Sequence, residues 1–280
     1  MHTARQHASL LRRHPAATYF LCAFAVSWLG AFALVAPKLV QHQSIPKFTG
    51  LMMFPIMLLG PSLMGLLLTR LADGRSGLSD LFARMRRIAV PQRWFAVLLI
   101  PPAAMLTVLL ALRTGVSPIF TPNFFPVGLA FGCIAGFAEE IGWMGFAYPK
   151  LRASRNGLLA AILLGLLWGL WHLPVVDYLG TATPHGAYWG RYFLAFIAAM
   201  SAMRVLICWL YSRTGSVLLA QMLHASSTGC LVILSPPHVS AGQEAAWYAV
   251  YAAVLWMIVL LLTAKNGLTF LNAPTSPPPE

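Results

Sequence analysis

The stretch from Pro126 to Ala147, PVGLAFGCIAGFAEEIGWMGFA, sets two adjacent carboxylates, Glu139 and Glu140, inside an otherwise apolar run. A helix crossing a hydrocarbon core of about 30 Å needs about 20 mostly apolar residues. An ionisable group within it costs roughly 2.5–3.5 kcal/mol on insertion scales, so such groups are rare and face a bundle interior or a cavity. This stretch therefore reads as a membrane span carrying a site. On either side lie seven further apolar runs, at 17–36, 50–69, 94–112, 157–176, 192–211, 215–234 and 247–263. The chain is expected to be all-α, a polytopic integral membrane helix bundle of about eight transmembrane helices.

Composition supports that class. Hydrophobic residues make up 59% of the 280 and charged residues 9%, against about 45–50% and 25% in soluble domains. The net charge is +12, and the acids are Asp73, Asp80, Glu139, Glu140, Asp177, Glu244 and Glu280. Nucleic-acid binding would need the positive charge gathered on one folded face. Here it lies between apolar runs, so no nucleic-acid partner is expected and the charge sets orientation instead. Fourteen Lys and Arg fall in the N-terminus, alternate loops and C-terminus, against four in the remaining loops. The positive-inside bias then predicts a multi-pass protein of the cell membrane with both termini cytoplasmic.

Residues 1–16 form a cytoplasmic N-terminus in this reading. Arg5, Arg12 and Arg13 resemble the basic start of a signal peptide, but the apolar run that follows is long and has no small-residue cleavage site, so it reads as a retained helix. Residues 17–271 form one transmembrane domain, and 272–280, with Pro274, Pro277, Pro278 and Pro279, a disordered proline-rich tail. The 70–93 loop holds Arg70, Arg75, Arg84, Arg86, Arg87 and Arg93. It is either a plain orientation signal or, through Leu81 and Phe82, an interfacial amphipathic helix in contact with the lipid bilayer. Cys22, Cys133, Cys208 and Cys230 lie in spans at irregular spacing and read as reduced packing residues. The tryptophans and tyrosines read as interfacial belts and packing.

Few polar residues remain inside the spans. Neighbouring positions of a helix point about 100° apart, so one of Glu139 and Glu140 is expected to face a cavity while the other finds a different partner. His172 closes the run Trp168-Gly169-Leu170-Trp171-His172 ahead of Pro174, and His224 lies in the seventh span with Thr228 one turn beyond it. Arg204, in the sixth span, needs an anion, and Glu139 or Glu140 is the candidate. Asp177 marks a helix end or orients His172. His2, His7, His14, His42, His185 and His238 are expected to be solvated.

A carboxylate in a dry cavity is a candidate general base for water, and preorganised donors beside it would stabilise an oxyanion. The same chemistry has a metal version, in which Glu139, His172 and His224 bind zinc with an open position for water. No HExxH motif is present. A non-catalytic scaffold or immunity protein, or a small-solute transporter using the acids as an ion site, is the alternative of a different class. The charges do not form paired sites on broken helices in two repeated halves, as a transporter would suggest.

Together these residues resemble the CPBP family of intramembrane proteases, which includes the CAAX prenyl endopeptidases and the bacterial proteins once grouped as Abi. The family motifs EExxxR, aromatic-xxx-H and HxxxN read here as Glu139-Glu140-Ile141-Gly142-Trp143-Met144, Trp168 to His172, and His224 to Thr228. The resemblance covers about 129–232. Met144 stands in place of the motif arginine and Thr228 in place of the asparagine. Glu140 is thereby left in need of another cation, with Arg204 the candidate. The resemblance implies an endopeptidase acting on a membrane-associated protein or peptide without a metal cofactor. In it Glu139 is general base, His172 assists it, and His224 with Thr228 donates to the tetrahedral intermediate. With cytoplasmic termini, Glu139 and His172 start about 10 Å apart in depth, and helix tilt has to bring them together.

Overall fold

The computed structural model describes residues 11–176, 185–267 and 271. The first helix, α1, spans Pro15–Val40, and α2 spans Lys47–Met85. Glycine makes the break in α2: Gly74 adopts φ 75°, ψ −159°, so the basic half beyond it departs from the line of the first. A 3-10 segment, Gln92–Leu99, leads into α3, Ile100–Gly115. The acid-bearing helix α4, Val127–Gly142, runs through a π turn at Trp143–Ala147 into the short α5, Tyr148–Arg152. Then follow α6 (Gly157–Trp171), α7 (Trp189–Thr214), α8 (Val217–Leu234) and α9 (Ala241–Asn266).

Local chemistry sets the boundaries. The Asn156 side chain accepts from the Leu159 amide at 2.8 Å and caps α6. Ser240 and Gln243 form a reciprocal capping box at the start of α9, and Gly215, at φ 63°, ends α7 in the left-handed conformation.

Among the described residues seven helical stretches are long and apolar enough to cross a membrane, which makes this a multi-pass membrane protein. The expected span at 157–176 is the exception, because its helix stops at Trp171 after 15 residues. Pro174 accounts for the stop: its ring has no N–H to offer and disfavours helical backbone at Leu173. Residues 172–176 continue as turns, with the amides of Val175 and Val176 donating to the His172 carbonyl.

Close packing of α4 on α8 positions the acids. Gly128, Gly132 and Gly136 form a stripe at one-turn intervals facing α8. A methyl group added at Gly136 would sit 2.5 Å from the Gln221 carbonyl oxygen, and one at Gly132 would collide with the Ala225 carbonyl. Such stripes let helix backbones approach closely where lipid supplies no hydrophobic drive. Gln221 reinforces the contact by donating to the Phe137 carbonyl at 2.9 Å. Gly165 does the same for α6 on α7, where an added Cβ would lie 2.6 Å from Ser201 Cα.

Three expectations are corrected. His185 is buried rather than solvated: its ring stacks on Tyr192 at 3.7 Å and its Nε2 lies 3.4 Å from Glu244 on α9. Cys133 sits on an exposed face of α4, whereas Cys208 and Cys230 are buried and Cys22 half-buried. Part of the 70–93 loop is the second half of α2, with Leu81 buried and Phe82 exposed. Asp177 and the 272–280 tail lie outside the described residues.

Candidate active site

One turn beyond Gly136, α4 delivers Glu140 to His224 on α8 and to Arg204 on α7. His224 Nδ1 lies 2.7 Å from Glu140 Oε1. Since a carboxylate only accepts, this nitrogen carries the proton and donates. Arg204 Nη1 donates to both Glu140 oxygens, at 2.7 and 2.8 Å. Glu140 and Arg204 are fully enclosed and His224 nearly so, so the expected partner of Arg204 is Glu140.

The Arg204 guanidinium also lies over the Trp168 indole, 4.1 Å from the ring centroid. Its Nε and Nη2 are buried and have no hydrogen-bond partner among the described residues. Met144 is one turn beyond Glu140, with its sulfur 3.8 Å from Cys208 Sγ, and Cys208 is itself one turn beyond Arg204 on α7.

Glu139 has different company. Two indoles donate to the same oxygen, Oε2: Trp143 Nε1 at 3.0 Å and Trp168 Nε1 at 2.7 Å. No donor among the described residues engages Oε1. Adjacent carboxylates on one helix are thus divided as the 100° offset requires: Glu140 has both oxygens committed, while Glu139 is pinned by one and offers the other.

Trp168 gathers the rest. His172 packs edge-on against it at 5.6 Å between centroids, and His224 at 4.9 Å. His172 Nδ1 is 2.8 Å from the Trp168 carbonyl oxygen. A carbonyl cannot donate, so Nδ1 carries the hydrogen and Nε2 of the neutral ring holds a lone pair. Glu139, His172 and His224 therefore surround one indole, despite the short helix that carries His172. Thr228 is half-buried one turn beyond His224 on α8.

The tryptophans are what the sequence reading missed. Both carried a signal, since Trp143 lies one turn after Glu139 and Trp168 one turn before His172. Among the described residues no three His, Cys, Asp or Glu side chains gather closely enough to hold a metal ion.

A helical multi-pass membrane protein whose buried Glu139, Glu140 and His224 gather with a half-buried His172 is the class that fold and site define. Comparison with known proteins adds two likenesses. Residues 121–230 match the family model described as type II CAAX prenyl endopeptidase Rce1-like. The chain is also similar to CAAX prenyl protease 2 of Methanococcus maripaludis, at 29% identity over 141 residues. That match covers 45% of this chain and 51% of the relative, so the chain spans about half the relative's length. Both comparisons bear out the resemblance to the CPBP family, and the family-model match falls on the region holding the motifs.

Proposed function

We propose that this chain is an intramembrane endopeptidase that hydrolyses a peptide bond of a membrane-associated protein or peptide. The observation that carries the reading is the state of Glu139, a buried carboxylate fixed through Oε2 by two indole donors, with no donor on Oε1 among the described residues. Oε1 takes a proton from water as the water oxygen adds to the scissile carbonyl carbon. The lone pair on His172 Nε2 holds the second water proton and so orients the nucleophile. The carbonyl oxygen becomes an oxyanion, to which the His224 Nε2–H of a charged ring and the Thr228 hydroxyl donate. Glu139 then passes its proton to the amide nitrogen, the C–N bond breaks, and an amine and a carboxylic acid leave, the acid giving up its proton on release.

The relative's name, CAAX prenyl protease 2, points to a prenylated C-terminal peptide as the substrate to try first. In the same reading the chain sits in the cell membrane with both termini cytoplasmic, as the Lys and Arg distribution favours. The reaction runs on Glu139 without a metal. The support for that is the missing convergence of three ligands among the described residues.

The test is cleavage of an internally quenched farnesylated CAAX peptide by purified protein in nanodiscs. Wild type is expected to cleave, Glu139→Gln and His172→Ala to lose about 100-fold or more in kcat, and a chelator to change nothing. Undiminished cleavage by Glu139→Gln overturns the assignment of the base. Loss with chelator selects the zinc version, and an inactive wild type across a panel of membrane peptides selects the scaffold.

A further inference from the structure

We propose that Arg204 is a positioning residue of this site: a cation delivered from α7 orients His224 through Glu140, and the same job can be done from position 144 in the π turn that follows α4. The inference rests on the endopeptidase reading above. Arg204 does not face the reacting atoms. It is fully buried, reaches Glu140 through one nitrogen, and has no hydrogen-bond partner at Nε or Nη2 among the described residues. A buried pair with unfilled donors contributes little net stability compared with an apolar pair of the same volume, so stability alone is a weak account of it.

Its geometry gives a better account. Glu140 Oε1 receives both Arg204 Nη1 and His224 Nδ1, each at 2.7 Å. The charge at 204 therefore fixes the carboxylate, and the carboxylate fixes the rotation of the imidazole. The guanidinium also lies on the face of Trp168, whose N–H holds Glu139. One cation thus braces both acids, directly on one side and through an indole on the other.

Position 144 addresses the same carboxylate. Met144 stands four residues beyond Glu140, in the π turn that continues α4, and so about one turn away. Its sulfur touches Cys208, one turn from Arg204, so 144 and 204 lie diagonally across one contact between the π turn and α7. Exchanging Arg and Met between them conserves both charge and volume.

The test uses full-length protein in nanodiscs, labelled with 15N-histidine, and the farnesylated CAAX peptide as probe. His224→Gln assigns the His224 resonances. Arg204→Met is expected to lower kcat about 100-fold, the scale of one lost oxyanion donor, with KM unchanged and the His224 side-chain resonances displaced. Arg204→Met combined with Met144→Arg is expected to recover kcat to within about tenfold of wild type and to return the resonances. If Arg204→Met alone does not fold, Arg204→Met with Glu140→Gln removes both charges and is expected to fold yet stay slow.

A folded exchange variant that remains as slow as the single variant, with His224 still displaced, overturns the proposal. So does wild-type kcat in Arg204→Met. If the wild type leaves the peptide uncut, that substrate falls and the resonances decide alone. Displacement in Arg204→Met and return in the exchange variant support the positioning role, and an unmoved His224 overturns it.

Discussion

The Trp168 indole donates its N–H to Glu139 Oε2 at 2.7 Å while its ring face carries the Arg204 guanidinium at 4.1 Å. This one side chain connects the free carboxylate to the cation that holds the committed one. Membrane-buried hydrogen bonds of this kind are worth roughly 1–2 kcal/mol at most, so the indole's value lies in orientation. Trp168→Phe keeps an aromatic face and removes the donor. It is expected to lower kcat about tenfold while the unfolding midpoint in detergent stays close to wild type; a drop in stability with kcat intact would contradict the role given to the N–H.

The glycine stripe of α4 predicts a different phenotype. Gly136→Val places two methyl groups against the Gln221 carbonyl and the Ala225 backbone, and overpacking of this kind costs about 1–3 kcal/mol. Forcing α4 from α8 also separates Glu140 from His224. Stability and kcat should fall together, whereas Gly190→Ala, where an added Cβ meets nothing within 4 Å, should move neither.

Arg84 braces the π turn from α2. It donates to the Gly145 carbonyl at 3.2 Å and to the Tyr211 hydroxyl at 2.8 Å, and pairs with Asp80. These groups line a cavity of about 390 Å³ beside the turn. Arg84→Met should cost about 1–3 kcal/mol for the hydrogen bonds lost, read as a lower unfolding midpoint. Asp80→Asn, whose carboxylate is two-thirds exposed, should cost under about 1 kcal/mol.

Thr228 offers a test of reach. Thr228→Val removes the hydroxyl at constant shape and is expected to lower kcat about 100-fold. Thr228→Asn restores a donor with a longer arm and should recover most of that loss. Equal activity in Thr228→Val and wild type would remove Thr228 from the oxyanion site.

Hydropathy made seven of the eight expected spans legible, because a lipid-facing helix has to be apolar along its length. The span at 157–176 misled, since Leu173, Val175 and Val176 look like span residues while Pro174 ends the helix before them. Glu139, Glu140, His172 and His224 were legible for the opposite reason, being costly where they stand. Arg204 was narrowed to one of two acids, and only the meeting of α4 and α7 selected Glu140. Trp143 and Trp168 escaped because an indole in a membrane protein has a good apolar reason to be there, and no sequence pattern shows where its N–H points. His185 escaped because its partner, Glu244, is far away in sequence.

The brevity of α6 makes bilayer thickness a variable of this protein. Its 15 residues rise about 22 Å, against a hydrocarbon core of about 30 Å. A short segment is accommodated by local thinning, at fractions of a kcal/mol per Å of mismatch. Were this helix to make a crossing alone, the lipid beside it would be drawn inward on the side where His172 follows its end. Membranes of shorter acyl chains would relieve that deformation, so kcat compared in thin and thick bilayers is the measurement that reads it.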